Sequence, residues 1–153
     1  YKWTVLDADA LNAFEGKQEN FFSMLHDRCV LTPHEGEFSR LFPDFSGSRE
    51  QRALKAAQRI GAVVLLKGRE TVICSPTGEM IINDHSSPYL ATAGSGDVLA
   101  GIIGSLLAQG VKPLLACAIA TWFHGEAAIR FGPGLTAPDL IMNMAAIKGD
   151  FLI

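Results

Sequence analysis

Apolar residues are spaced along this chain in two alternating rhythms. Short uninterrupted runs of the kind that fill a strand are followed by stretches where apolar positions return every third or fourth residue, the period of one helix face. Val5–Leu6 reads as a short buried strand ending at Asp7–Ala8–Asp9, with Ala10 to Phe14 turning into a brief helix. Cys29–Val30–Leu31 is a second strand, stopped at Thr32–Pro33 because the residue before a proline is pushed toward extended geometry. His34 to Phe42 is expected as a helix with Phe38, Leu41 and Phe42 on one side. Ser48 with Gln51 forms a capping-box start, and Ala53, Leu54, Ala57 and Ile60 make the inward stripe of the next helix, ended by Gly61. The continuous run Ala62 to Leu66, bounded by Gly61 and Lys67–Gly68, predicts a central parallel strand. Thr71 to Cys74 and Met80 to Ile82, joined across Ser75–Pro76–Thr77–Gly78, predict a hairpin. Two long helices follow: Asp97 to Gln109, ended by Gly110, and Pro113 to about Arg130, entered at a proline. A last short helix covers about Pro138 to Ala146.

Strands alternating with helices imply an α/β fold whose parallel sheet is covered on both faces. In such sheets ligands bind at the carboxyl ends of the strands, where Asp7, Thr32 to His34, Lys67 and the glycine turn before Asp97 all fall. Composition narrows this picture mainly by exclusion. At 153 residues the length suits one domain, and 48% hydrophobic with 19% charged residues suits a sizeable core. A net charge of −3 with 13 scattered Lys and Arg argues against a nucleic-acid face or a membrane-surface helix. Apolar stretches such as Leu114 to Phe123 are too short to span a bilayer. Cys29, Cys74 and Cys117 are far apart and read as reduced core cysteines of a cytoplasmic protein. No secretory signal is visible, and the chain opens at Tyr1 inside a strand pattern, so it reads as the C-terminal portion of a larger protein.

The candidate chemistry centres on ATAGSGDVLAGII, Ala91 to Ile103, where a lone carboxylate, Asp97, stands at the entry to an apolar helix. Gly94, Ser95 and Gly96 fall at the helix N-terminus, where backbone N–H groups lack intrahelical partners and the dipole is positive. That end suits a phosphate, because glycine lets the backbone come close. Equally, Ser95 or Asp97 would serve as a cap for the same donors, and spacing alone leaves both readings open. LTPHEGEFSRL, Leu31 to Leu41, sets His34, Glu35 and Glu37 just past a strand end. There the glutamates favour the helix dipole with His34 at the surface, unless all three belong to a site. LLKGRETVI, Leu65 to Ile73, places Lys67 directly after a buried strand with Gly68 giving room, either to meet phosphate in a crevice or as a solvated strand end. His124 and Glu126, in WFHGEAA, lie on an otherwise apolar helix, where a satisfied polar role is expected before a catalytic one. His26 and His85 carry no readable signal.

Taken in order, VLDADAL, LTPHEGEFSRL, KGRET, ATAGSGDVLAGII with LLAQG, and HGEAA resemble the ADP- or ATP-dependent NAD(P)H-hydrate dehydratases. These belong to the ribokinase-like superfamily and often form the C-terminal domain of a bifunctional protein with an NAD(P)H-hydrate epimerase. The resemblance covers essentially the whole chain, but only about the latter half of the family domain. It implies a three-layer α/β/α ribokinase-like fold with a mostly parallel sheet. It implies a lyase that dehydrates hydrated NADH or NADPH at the expense of ADP or ATP, with Mg2+ accompanying the nucleotide and no metal held by the protein alone. By the same matching, Asp97 is the base and touches the substrate, and His34 contacts the hydrated dinucleotide. Lys67, Gly68, Arg69, Glu70 and Thr71 contact the nucleotide, as do Gly94, Ser95 and Gly96. A homo-oligomer and a fused epimerase domain are further implications, whereas Asp7, Asp9 and His124 receive no role. DHSSPYLATAG stands where many members carry an Asn-Pro-Gly-like turn, which bears on the base contacts and the ADP or ATP preference. A small-molecule kinase of the same superfamily would use the same glycine motif and aspartate, and TPHEGEF argues against it. A non-catalytic remnant is the third alternative, opposed by the presence of Asp97, Lys67 and His34.

Overall fold

A computed structural model describes residues 2–150 of the chain, with side chains described through Ile147. Five strands form one sheet in sequence order: β1 (Thr4–Leu6), β2 (Cys29–Leu31), β3 (Val63–Leu66), β4 (Thr71–Cys74) and β5 (Met80–Asn83). β1, β2 and β3 run parallel, and β3, β4 and β5 run antiparallel. The run at 62–66 is therefore central, as expected, but parallel on one side only. Only Lys67 to Glu70 separate β3 from β4, and a parallel connection needs a crossover of a dozen or more residues.

Side chains of β3 alternate between two cores, which is why the strand reads as unbroken apolar sequence. Val64 and Leu66 pack on one face with Phe38 and Leu41 of α3 (Glu35–Leu41) and Ala53, Ala57 and Ile60 of α4 (Arg49–Ile60). Leu11 of α1 (Asp9–Asn12) and Phe21 of α2 (Gln18–Phe22) close the same layer. Val63 and Leu65 face the other way, against Leu99, Ile103 and Leu107 of α5 (Ser95–Ala108) and Ala116, Cys117 and Ala120 of α6 (Pro113–Phe131). The result is the expected three-layer α/β/α arrangement. A smaller cluster joins α6 to α7 (Ala137–Asp150) through Ala127, Ala128, Leu135, Leu140 and Ile147. α2 and a short turn of helix at Pro88–Leu90 are additions to the sequence reading, and α7 extends beyond the expected 138–146. All three cysteines are free and buried; burial pushes the Cys74 thiol up to about 11 and the Cys117 thiol up to about 12. Among the described residues no helix is long and apolar enough to cross a membrane.

α6 also receives the loop that leaves β5. Gly125 is buried there, and a methyl group on it would collide with the carbonyl oxygen of His85. The same carbonyl accepts a hydrogen bond from Asn83 Nδ2 at 3.2 Å, so it is held from two sides. Alanine in a helix interior gains up to about 1 kcal/mol over glycine, but overpacking against backbone costs about 1–3 kcal/mol and wins here. Gly125→Ala is expected to lower the urea midpoint with an unchanged slope. A midpoint at or above that of the parent would mean that the 84–87 backbone yields freely.

Candidate functional site

The site forms where β1, β2 and β3 end on the same edge of the sheet. Lys67 extends the β2–β3 pairing by one step, its N–H donating to the Pro33 carbonyl at 2.8 Å and its backbone bridging to His34. Its side chain then meets Asp7 at the end of β1, with Nζ donating to Oδ1 at 2.7 Å. Asp7 is turned there by an unusual backbone: Ala8 has φ 47° and ψ −118°, and the Ala10 N–H donates to the Asp7 carbonyl at 3.1 Å. A side-chain-bearing residue in this region stores on the order of 1–3 kcal/mol of strain, which the surrounding structure must over-determine. Glu37, from the first turn of α3, is buried with Oε2 3.9 Å from the same ammonium. One ammonium thus sits between two carboxylates.

Glu37 is held by a second bond, accepting from the His34 N–H at 2.7 Å. His34 in turn caps α3, its Nδ1 accepting from the N–H groups of Gly36 at 3.0 Å and Glu37 at 3.3 Å. Because Nδ1 accepts, the donor nitrogen of the ring is Nε2, which lies 3.4 Å from Glu37 Oε1. Arg49 braces the same corner from behind, Nη2 donating to the carbonyls of Leu66 at 3.2 Å and Lys67 at 3.0 Å. Its guanidinium lies where a side chain at Gly68 would have to go.

α5 begins opposite Lys67. Its cap is Gly94, with φ 82°, and no side chain caps it. Ser95, a candidate cap on sequence, instead donates its hydroxyl to the Leu90 carbonyl at 2.7 Å. Asp97, the other candidate, is exposed and bonds to no side chain among the described residues. The N–H groups of Gly96 and Asp97 have no partner among the described residues either. The capping reading of this stretch therefore fails, and the donors stay open. Gly96 is the point of closest approach: a Cβ there would lie 3.3 Å from Asp7 Oδ2 and 3.6 Å from Lys67 Nζ.

Lys67, Gly68, Thr71, Ser95 and Gly96 line one cavity of about 180 Å³, floored by Thr121 and His124. Gly68 and Arg69 open into an adjoining cleft of about 690 Å³ whose far wall is the 84–91 loop. Asp97 stands on the other side of Gly96, at the head of an apolar groove of about 550 Å³ between α5 and α7. Glu70, Gly94 and His34 line none of these three cavities. Sequence reasoning missed Asp7 as the partner of Lys67, Glu37 beside it, and Arg49. The only available signal was the strand-end position of Asp7. His124 is satisfied, as expected: Nε2–H donates to the Ser95 carbonyl at 2.9 Å.

A family profile described as NAD(P)H-hydrate dehydratase matches residues 1–144. The chain belongs to the NAD(P)H-hydrate dehydratase family. Its dehydratase relatives include a bifunctional NAD(P)H-hydrate repair enzyme from Gloeobacter violaceus, 49% identical over 93% of this chain and 27% of that protein. An ADP-dependent (S)-NAD(P)H-hydrate dehydratase from Neisseria meningitidis is 43% identical over 94% of this chain and 51% of its own length. The chain thus spans about a quarter and about half of these two relatives. The crystal structure of the ADP/ATP-dependent NAD(P)H-hydrate dehydratase from Bacillus subtilis, co-crystallised with ATP/Mg2+ and soaked with CoA, superposes with a TM-score of 0.81. It is 28% identical and is matched over 96% of this chain and 56% of that one.

Burial holds the His124 imidazole down to about 4, against an opposing pull from the Ser95 carbonyl and with a smaller push from Lys67. The unfolded ring takes up its proton near 6.5, so the stability of the neutral buried ring is fully present above that pH and lost as pH falls toward 4. At pH 5 the loss is about 2 kcal/mol relative to pH 7. Urea unfolding at the two pH values checks this: His124→Gln, which keeps a donor for Ser95, should lose less stability over the interval than the parent. An equal loss would assign the pH dependence to other groups.

Proposed function

We propose that this chain carries the phosphoryl-transfer part of an NAD(P)H-hydrate dehydratase, a lyase that uses ADP or ATP to remove water from hydrated NADH or NADPH. The supporting observation is the open start of α5, where N–H groups without a partner among the described residues lie at Gly96, with the Lys67 ammonium on one side and the Asp97 carboxylate at the head of the neighbouring groove. In this reading Asp97 accepts the proton of the ring hydroxyl as its oxygen attacks the terminal phosphoryl group. The Gly96 and Asp97 N–H groups and Lys67 take up the charge on the phosphoryl oxygens, the dominant contribution in such transfers. The bond from that phosphorus to the bridging oxygen breaks, so AMP leaves from ADP or ADP from ATP. Phosphate then leaves with the former hydroxyl oxygen, and loss of a proton from the adjacent ring carbon to solvent restores the double bond. Lys67 to Thr71, with Gly94, Ser95 and Gly96, hold the nucleotide, and His34 faces the hydrated dinucleotide with its Nε2–H.

Among the described residues no group of three His, Cys, Asp or Glu side chains forms a metal cage. The residues instead suit Mg2+ arriving on the nucleotide phosphates, the usual habit of that ion. Asp7 Oδ2 is the nearby oxygen not engaged by Lys67, and Mg2+ would supply charge neutralisation there. We read residues 1–153 as the second part of one ribokinase-like domain, with an epimerase domain fused in some arrangements and the protein acting as a cytoplasmic homo-oligomer. The greater length of the relatives supports the partial domain, and the bifunctional naming of the Gloeobacter violaceus protein supports the fused second domain.

The deciding experiment incubates the protein with hydrated NADH and ADP or ATP and follows the return of reduced-nicotinamide absorbance. No return, with phosphorylation of a vitamin precursor or sugar instead, would make it a kinase; neither would make it non-catalytic. Asp97→Asn is expected to cut turnover by roughly a hundred to ten thousand fold, the usual cost of a lost general base, while nucleotide affinity changes only a few fold. A near-parental rate would remove Asp97 from the mechanism. Gly96→Val brings a branched side chain against Asp7 and Lys67 and should weaken ADP binding and rate together, as read by calorimetric titration. Unchanged affinity would leave Gly96 with a packing role only.

A further inference from the structure

The loop from Asp84 to Ala91 forms the far wall of the larger cleft through Asp84, Ser86, Ser87, Pro88, Leu90 and Ala91. Tyr89 does not line it, and neither does His85. Its ring turns away from the cleft and lies flat on Trp122 of α6, with centroids 5.1 Å apart and planes 10° from parallel. Nε2–H donates to Glu126 Oε2 at 2.8 Å. The other oxygen of Glu126 accepts from Arg130 Nε at 2.6 Å, so the carboxylate is aimed by two partners. Those two hydrogen bonds, the Arg130 one foremost, hold the Glu126 carboxyl below the usual carboxylate range. The backbone of His85 is gripped as firmly as its ring. Its carbonyl seats on the bare Cα of Gly125 and accepts from Asn83, and the next residue, Ser86, donates its hydroxyl to the Arg69 carbonyl at 2.7 Å.

These contacts have one geometric consequence. Ser86 ties the 84–91 loop to the Gly68–Arg69 turn, and the two form opposite walls of the same cleft. The 84–91 wall is thus held at two places, at Arg69 by Ser86 and on α6 by His85. We propose that His85 is a positioning residue for the nucleotide, fixing the 84–91 wall of the cleft through its stack on Trp122 and its bond to Glu126. The inference rests on the reading that the nucleotide occupies this cleft. His85 touches neither nucleotide nor reacting atoms; it removes the ordering cost that a loose wall would add to each binding event.

The test compares the parent with His85→Ala and His85→Gln on the full chain. Calorimetric titration gives ADP affinity, and steady-state rates give separate KM values for nucleotide and hydrated NADH. Hydrogen exchange reads the amides of 84–91. Removing the ring should weaken ADP roughly tenfold, the scale of ordering one more flexible segment on binding. Nucleotide KM should rise with it, while KM for hydrated NADH and kcat at saturating nucleotide stay level. Exchange at 84–91 should quicken in His85→Ala, and His85→Gln, which restores a donor to Glu126, should recover part of the affinity. A variant that merely loses stability would leave both KM values in place. Equal ADP affinity in the parent and His85→Ala would overturn the positioning role and leave the nucleotide reading intact. A parent that binds no ADP, with exchange at 84–91 still rising in His85→Ala, would overturn the nucleotide reading and the role assigned to His85 with it.

Discussion

The ammonium of Lys67, 2.7 Å from Asp7 and 3.9 Å from Glu37, joins three stretches of chain far apart in sequence at the edge where the parallel strands stop. A charge in this position is costly unless it is paired and its partners are held by other bonds. The neighbouring geometry supplies those bonds. Ala8 accepts a strained backbone that turns Asp7 inward, His34 lends its N–H to Glu37, and Arg49 fixes the carbonyls on either side of the strand end. Remove the pairing and the strained turn at Ala8 loses its reason to persist. The open helix start at Gly96 is useful only because this cluster is held close to it without filling it.

Around that cluster the fold divides labour between rigid and adjustable parts. β3 is buried on both faces and anchors two cores, so the end that presents Lys67 has little freedom to move. α5 is equally fixed by Leu99, Ile103 and Leu107. The loops between these elements carry the polar contacts that join them. Ser86 bridges two of them, Ser95 holds Leu90, and His124 supports Ser95 from below. A chain of short bonds thus runs from α6 through the helix start to the wall of the larger cleft.

Much of this was legible in the apolar pattern. The parallel strands, the capping box at Ser48, the hairpin and the two long helices fall within a few residues of their expected places, because buried elements must follow their geometric period. The convergence of Asp7, His34, Lys67 and the glycine turn also followed from strand-end logic. The antiparallel sense of β4 was not visible in its apolar pattern, since a strand buried on both faces reads the same in either direction; the four-residue link from Lys67 to Glu70 is what carries it. The partners of Lys67 were hidden for a different reason. Glu37 resembles any first-turn acid, and Asp7 any turn residue, until tertiary structure brings together groups 60 positions apart. His85 shows no periodicity because its role depends on the bare surface of Gly125 and the face of Trp122, neither of which spacing encodes.

The cysteines carry a consequence of their own. Cys29 and Cys74 belong to the layer covered by α3 and α4, whereas Cys117 belongs to the layer covered by α5 and α6. Cys74 and Cys117 are held as thiols far above neutral pH, so in the native state they have almost no thiolate to offer an oxidant or an alkylating reagent. Each becomes reactive only when its own layer parts from the sheet. The molecule therefore carries one built-in chemical clock on each side of its sheet, and their separate rates would distinguish a protein that opens all at once from one that sheds one helical layer first.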